Sequence, residues 1–485
     1  MVLQHTGTVL PHTGTVLPHT GTVLPHTGTV IPHTGTVLRP RDRPSATPPS
    51  ALPVPARVVA STAMASAGYS FASGNLRKLL AAPRYLLGSL LARTVVRDPG
   101  HWVIGSAFGV ADGALAFARA ARELPDPPTL TWLAGSEAEA AEARAAGFDH
   151  VLPRDSREGL DATLRAGLVA VTHGFGDVNR YGVSGAVIVQ LWHGAPLKKL
   201  HADSPAVVGA GALGRIPGMT ALTRWAYRLG TRRISLIPVS SPLFQPFMRS
   251  AFHLTDDRVR VLGEPRTDLL FDGEPDELTA AARELLTRRL GDLGDARVVL
   301  FAPTWRDGAP DPAIPSDAEW ELIEEFCERH NLVLVIRPHP LGVGAYCRDS
   351  HRVRLLPPSV QPESMPLLWG AAALVTDYSS ILVDYAVTGR PVVLLAPDLE
   401  RYRRTRGLYV DFEELSGGEW ASTWPEALAG LDAVFSDPGR HAAAGAHSRR
   451  LAARFHTFTD GRNAERVAQA AAGLVADRFG TRPAG

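Results

Sequence analysis

Residues 186–199, AVIVQLWHGAPLKK, open as a nearly unbroken apolar run and stop abruptly at Trp192-His193-Gly194. An apolar run without polar alternation reads as a strand buried on both faces, the habit of parallel sheets. The chain upstream repeats the theme. His101–Ala107, Thr129–Leu133, His150–Leu152 and Leu168–Thr172 read as strands, with helices at Ala111–Glu123, Ser136–Ala146 and Arg157–Ala166 between them. Alternation of this kind predicts an α/β fold, a parallel sheet with helices on both faces. The pattern restarts downstream. Strands are expected at Arg297–Ala302, Leu332–Arg337, Val353–Leu356, Ala373–Thr376 and Pro391–Ala396, and helices at Ala318–His330, Met365–Gly370 and Ile381–Thr388. Two doubly wound, Rossmann-type domains in series face a central cleft at the carboxyl ends of their strands, where ligands bind in open α/β sheets. The expected domains are 98–285 and 286–485, with the boundary inside 272–296.

The 485 residues suit either about three domains at ~150 residues each or a two-domain enzyme with extra segments. Lys+Arg 50 against Asp+Glu 49 excludes a nucleic-acid protein that works by global basicity. Cys327 and Cys347 cannot build a disulfide framework, which points to a reducing compartment. Cys327 and His330 have metal-like spacing but no grouped further ligands, so no metal site is expected. Near the start, HTGTVLP recurs with His5, His12, His19, His26 and His33 in register. Proline in every repeat forbids a coiled coil, and the polar residues forbid a membrane span. Weak metal binding by the spaced histidines is the alternative to a plain tail. With the Pro-rich 39–57, residues 1–63 are expected to be a disordered repeat tail and linker. Met64 is a plausible alternative start, and no compact apolar run behind positive charge marks a secretory leader. The segment 64–97 is basic and amphipathic. Within it, 75–97 sets Arg77, Lys78, Arg84, Arg93 and Arg97 among leucines, with a break near Pro83. It suits either an anionic membrane face or packing on the domain behind it, and its apolar runs are too short to span a bilayer.

Four constellations carry chemistry. His193, at a strand's carboxyl end before Gly194 and Pro196, is expected to point into the cleft. Its imidazole titrates near neutrality and suits a general base. Lys198 and Lys199 follow and would attract phosphate. Arg337-Pro338-His339-Pro340 repeats the strand-end histidine, with Arg337 able to fork onto phosphate oxygens. Thr376-Asp377-Tyr378-Ser379-Ser380 runs from strand to helix, where Thr376, Ser379 and Ser380 would offer donors to a phosphate and Asp384 falls in the first turn. Simple N-capping by a serine is the other reading. Pro303-Thr304-Trp305-Arg306 supplies Thr304 and Arg306 for a nucleotide or its phosphates. No P-loop, dinucleotide fingerprint or Asp-x-Asp pair is present, so no cofactor and no magnesium clamp is expected.

These motifs together resemble the CDP-glycerol glycerophosphotransferase family, from about His101 to about Val475. The likeness is carried by LWHGAPLKKL (191–200), SSPLFQPFMRSAF (240–252), LGEPRTD (262–268), FAPTWRD (301–307), IRPHP (336–340), LVTDYSSILVDYA (374–386), APDLERYRRTRGLYVDFEE (396–414) and FHTFTDGRNAERV (455–467). The resemblance implies a GT-B-like fold, an acceptor-side first domain and a second domain that binds CDP-glycerol or CDP-ribitol. It implies catalytic His193 and His339, with phosphate contacts from Ser379 and Ser380 and also from Arg306, Arg337 and Asp384. A terminal hydroxyl of a lipid-linked acceptor would attack the phosphorus attached to the alditol and release CMP. The implied setting is teichoic acid or similar envelope-polymer synthesis on the cytoplasmic side of an anionic membrane surface, with no nucleic acid involved. The chain departs from the family pattern at Gly109-Val110-Ala111-Asp112-Gly113, where an Asn is common. The other readings are a nucleotide-sugar glycosyltransferase of the same fold and an inactive anionic-polymer-binding homologue.

Overall fold

A computed structural model describes residues 82–205, 218–306, 310–339, 346 and 348–480. The expected tail and linker, 1–63, together with Arg77 and Lys78, lie outside the described residues. The first half holds strands β1 (Asp98–Ile104), β2 (Thr129–Ala134), β3 (His150–Pro153), β4 (Ala166–Val171) and β5 (Val187–Gln190). They form one parallel sheet in the order β3-β2-β1-β4-β5. A short parallel pair, β6 (Ile237–Val239) and β7 (Val259–Val261), joins it through the bridge Val189–Leu236. The sequence reading did not anticipate this pair, nor the helix Met219–Thr231 that precedes it.

The second half holds β8 (Arg297–Ala302), β9 (Leu332–Ile336), β10 (Val353–Leu355), β11 (Ala371–Thr376) and β12 (Val392–Leu394). Their order, β10-β9-β8-β11-β12, repeats that of the first sheet. In each sheet the strand order reverses once, between β1 and β4 and between β8 and β11. Crevices open at such reversals.

One apolar cluster crosses between the halves. It combines Trp192, Leu197 and Phe244 with Tyr378, Leu382 and Phe455. One helix crosses back over the expected boundary near 285. The helix Asn463–Phe479 belongs by sequence to the second half, yet Val467, Ala468, Ala471 and Val475 lie in the core that covers β1, β2 and β4. Its docking is specific. Asp268 accepts from the backbone N–H groups of Asn463 and Ala464 at 2.9 and 2.8 Å, and the Asn463 amide donates to Thr267. Gly263, at φ +80°, meets Asn463 so closely that a Cβ there would sit 1.9 Å from Oδ1. The reason is burial: a small-residue stripe on this helix fits the sheet face that the first half alone leaves open.

The helix Ala82–Leu91 presents its faces unexpectedly. Tyr85 packs on Tyr181 with ring centroids 5.2 Å apart, Gly88 abuts the Tyr181 carbonyl, and Ser89 pairs with Ser184 at 3.0 Å. The leucines point outward, Leu86 being 68% and Leu90 57% exposed. The leucine stripe does not pack on the domain behind it.

Candidate active site

The turn after β5 is conformationally costly. Trp192 takes φ +62°, a left-handed conformation that a bulky residue rarely adopts, and Gly194 follows at φ +144°. This fold-back lays the His193 ring against Trp192, with centroids 4.3 Å apart at 26°. The next residues cross to the second half. Lys199 N–H donates to the Gly407 carbonyl at 3.0 Å, and Tyr409 N–H donates to Leu197 at 2.9 Å. A Cβ on Gly194 would lie 2.6 Å from Ser380 Oγ and 3.5 Å from Arg266 Nη2. The histidine turn of one half therefore touches the serine pair of the other.

Burial holds the His193 imidazole well below its ordinary range, and the charges of His173, Arg266 and Lys198 push the same way. A neutral ring with a free acceptor nitrogen is the state a general base requires. His339 follows β9 and is accessible from solvent, with Trp305 nearly parallel to it at 6.3 Å. Its imidazole is lowered to about 4 by desolvation first and then by Lys198 and His173. A neutral His339 carries one N–H that can donate and one ring nitrogen that can accept. Lys198 is lowered to about 8 by burial and by Arg406, with Asp377 opposing. It keeps most of its charge at neutral pH, whereas the Lys199 stem lies over Gly407.

The remaining sequence-predicted residues divide into two groups. Ser379 and Ser380 are half-buried, and Ser380 does not cap the six-residue helix Ile381–Ala386. N-capping therefore does not explain the pair. Thr304 donates its N–H to Asp377 at 2.9 Å, and its buried Oγ1 has no partner among the described residues. Arg306, by contrast, is occupied within the fold. It forks onto Asp398 with two bonds of 2.9 Å, reaches Asp377 at 2.9 Å and lies 5.0 Å from the ring centres of Tyr378 and Tyr402. Burial opposes its charge, but Asp377 and Asp398 outweigh that and hold it above the ordinary range. Thr376 donates to the Ala302 carbonyl at 2.6 Å and ties β11 to β8. Asp384 accepts from Arg266 at 2.7 Å. Arg337 donates to the carbonyls of Gln361 and Pro362 at 2.8 and 2.7 Å, and among the described residues no carboxylate pairs with it. Its guanidinium, lowered to about 10 by burial alone, is a buried cation in want of an anion.

With this geometry in view, the family model described as CDP-Glycerol:Poly(glycerophosphate) glycerophosphotransferase matches residues 100–472. The chain belongs to this family. The teichoic acid ribitol-phosphate polymerase TarK of Staphylococcus aureus is 29% identical over 248 residues, 50% of this chain and 45% of that protein. The teichoic acid glycerol-phosphate transferase of the same organism is 32% identical over 241 residues, 47% of this chain and 57% of that protein. The chain spans about half the length of these curated relatives. A variant of the wall teichoic acid polymerase TagF superposes with a TM-score of 0.65 at 18% identity, over 84% of this chain and 98% of that one. TagF has also been solved after a soak with CDPG. The shared fold is the GT-B-like pair of sheets, as the strand pattern and the motifs of this glycerophosphotransferase-family chain led one to expect.

Three residues of the cleft escaped the sequence reading. His173 follows β4 and stacks on His193, centroids 4.1 Å apart at 13°. Arg266 pairs with Glu264 and Asp384 at 2.8 and 2.7 Å, and it lies beside Gly194. Asp112, at φ +57°, is raised to about 6 by desolvation against the pull of Arg266. His330 Nε2 lies 2.7 Å from Asp432. No group of three or more metal-binding side chains occurs among the described residues.

Proposed function

We propose that this protein transfers an alditol phosphate, glycerol phosphate or a close relative, from its CDP-alditol to a hydroxyl of a lipid-linked acceptor, in the synthesis of a teichoic acid or similar envelope polymer. One observation carries the reading: the near-contact of Gly194 with Ser380, which sets the His193 turn beside a serine hydroxyl that caps no helix. Membership of the glycerophosphotransferase family and the CDPG soak of TagF support the donor class.

In the reaction, the acceptor oxygen attacks the phosphorus that bears the alditol. His193 takes the hydroxyl proton as the new P–O bond forms, and the bond to the CMP oxygen breaks, CMP leaving with the electron pair. Phosphoryl transfer is mostly positioning and charge stabilisation, so the protein's task is to neutralise the diphosphate. Lys198 supplies charge, Ser379, Ser380 and Thr304 supply hydroxyl donors, and His339 supplies a neutral N–H. Arg337 adds a fixed positive field from below. Arg306, Thr376 and Asp384 hold the donor loops in place, and Lys199 anchors its own segment.

The acceptor implies a lipid surface. Leu86, Leu87, Leu90 and Leu91 face outward with Arg84 and Arg93 near them, and Leu222, Trp225 and Leu229 are exposed on Met219–Thr231 beside Arg224 and Arg228. Arg233, two residues past the second helix, donates to Ser89 on the first at 3.1 Å. An apolar face rimmed by arginines suits the inner, anionic face of a membrane. No helix among the described residues is long and apolar enough to cross one.

The test incubates the purified protein with CDP-glycerol, CDP-ribitol or UDP-sugars over a membrane extract and identifies the nucleotide released. CMP from one CDP-alditol is the expected result. UDP without CMP would replace this reading with the nucleotide-sugar one, and no release from any donor would favour a binding protein.

A further inference from the structure

His173 stands beside His193 in the cleft. Its backbone is held firmly. Asp177 Oδ2 accepts from the N–H groups of Thr172 and His173 at 2.9 and 2.7 Å and from the Thr172 hydroxyl at 3.1 Å. The side chain, accessible from the cleft, lies parallel to the His193 ring at 4.1 Å, and Phe108 closes one edge at 4.5 Å. Trp192 covers the opposite face of His193 at 4.3 Å. The catalytic ring is therefore the middle layer of a three-ring stack, built by the ends of two neighbouring strands, β4 and β5.

We propose that His173 is a positioning residue for proton transfer at His193: its ring, carried on a backbone that Asp177 holds, fixes the plane in which His193 accepts the proton of the attacking hydroxyl. This rests on the reading of His193 as general base. A base confined between two flat faces keeps only in-plane freedom, and its nitrogens stay at the stack's open edge, where a hydroxyl can approach. Small misplacements of a catalytic group cost orders of magnitude in rate. No proton passes to His173. The charged and titratable groups around the pair are Asp177 on the His173 turn, Lys198 on the same segment as His193, Arg266 from 262–268 and His339 from the second half.

The experiment compares wild type, His173→Ala and His173→Phe. Phenylalanine keeps the stack and removes the nitrogens, whereas alanine removes both. CMP release is followed from about pH 5 to about pH 9, and the His193 ring is titrated separately by proton NMR, with thermal melting as the control for folding. His173→Ala should lose about 10-fold in turnover, with its acid limb moved to higher pH as water reaches the exposed face of His193. His173→Phe should retain turnover within about 2-fold, its acid limb in place, since a phenyl face excludes water equally well. An alanine variant with wild-type rate and profile would overturn the proposal, and so would a phenylalanine variant as impaired as alanine. If wild type releases no CMP from any CDP-alditol, the functional reading fails, and the ring titration decides the stack alone. A His193 pKa that rises in the alanine variant only supports the clamp, and one equal in all three proteins overturns it.

Discussion

Arg266 and Asp384 meet at 2.7 Å with both side chains buried, joining the 262–268 segment to the helix that follows the serine pair. Arg266 also holds Glu264 at 2.8 Å. Burial alone would lower Arg266, but Asp384, Glu264 and Asp112 outweigh it and hold the guanidinium above its ordinary range. Removing one partner strands a buried charge. Asp384→Asn should therefore lower unfolding free energy by about 3 kcal/mol or more, read by urea denaturation. Donor affinity should change less than in the serine variants. A stable Asp384→Asn protein with sharply weakened donor binding would return this carboxylate to the phosphate site.

Asp112 sets a pH dependence whose sign follows from its position. Desolvation raises it to about 6, with Asp384, Glu363 and Glu264 adding to the rise and Arg266 opposing it. A carboxyl that binds its proton more tightly when folded favours the folded state at low pH. That contribution falls away as pH climbs from about 4 to about 6. Asn tolerates the left-handed backbone at this position. Asp112→Asn should then melt at a higher temperature than wild type above pH ~6, and the gap should shrink toward pH ~4. Parallel melting curves across this window would remove Asp112 from the account.

The histidine pair makes a kinetic prediction. His193→Ala and His339→Ala should each reduce turnover at least ~10²-fold while circular dichroism stays unchanged. Their binding phenotypes should differ. His193→Ala should bind donor nearly normally, and Ser379→Ala with Ser380→Ala should weaken it, as isothermal titration with CDP-glycerol would measure. Wild-type turnover in a folded His193→Ala protein would return His193 to a structural role.

The outward leucines make a prediction about surfaces. Replacing Leu86, Leu90 and Trp225 by Ser should leave melting almost unchanged, since all three are exposed. Sedimentation with anionic vesicles should drop. Arg84→Gln with Arg93→Gln should lower binding chiefly at low salt, by about 1 kcal/mol per charge. Undiminished sedimentation of the leucine variant would leave this face without a membrane role.

Most strands were legible because central parallel strands are buried on both faces and read as continuous apolar runs. Arg297–Ala302 matches its expected span end for end. Strand-end position was legible where a histidine stood beside a marked turn, as at His193 and His339. The same rule applied to His173, one residue past the expected strand Leu168–Thr172, but no motif drew attention to it. What stayed hidden was pairing at long range. Arg306 reads as a phosphate ligand until Asp398, 92 residues later, is seen to occupy it. Arg337 faces carbonyls 24 and 25 residues on, and no local pattern announces that. The outward turn of the Leu86 face was equally invisible, because an amphipathic pattern does not say which side meets protein.

The helix Asn463–Phe479 has a consequence for the order in which the protein acquires its structure. As the chain leaves the ribosome, β1 to β5 emerge long before the residues that cover one face of their sheet. Phe117, Trp132 and Leu168, all fully buried in the finished molecule, share that face's core with Val467 and Val475. The nascent first half must therefore wait, with apolar surface uncovered, while more than a hundred further residues are synthesised at ~5–20 per second.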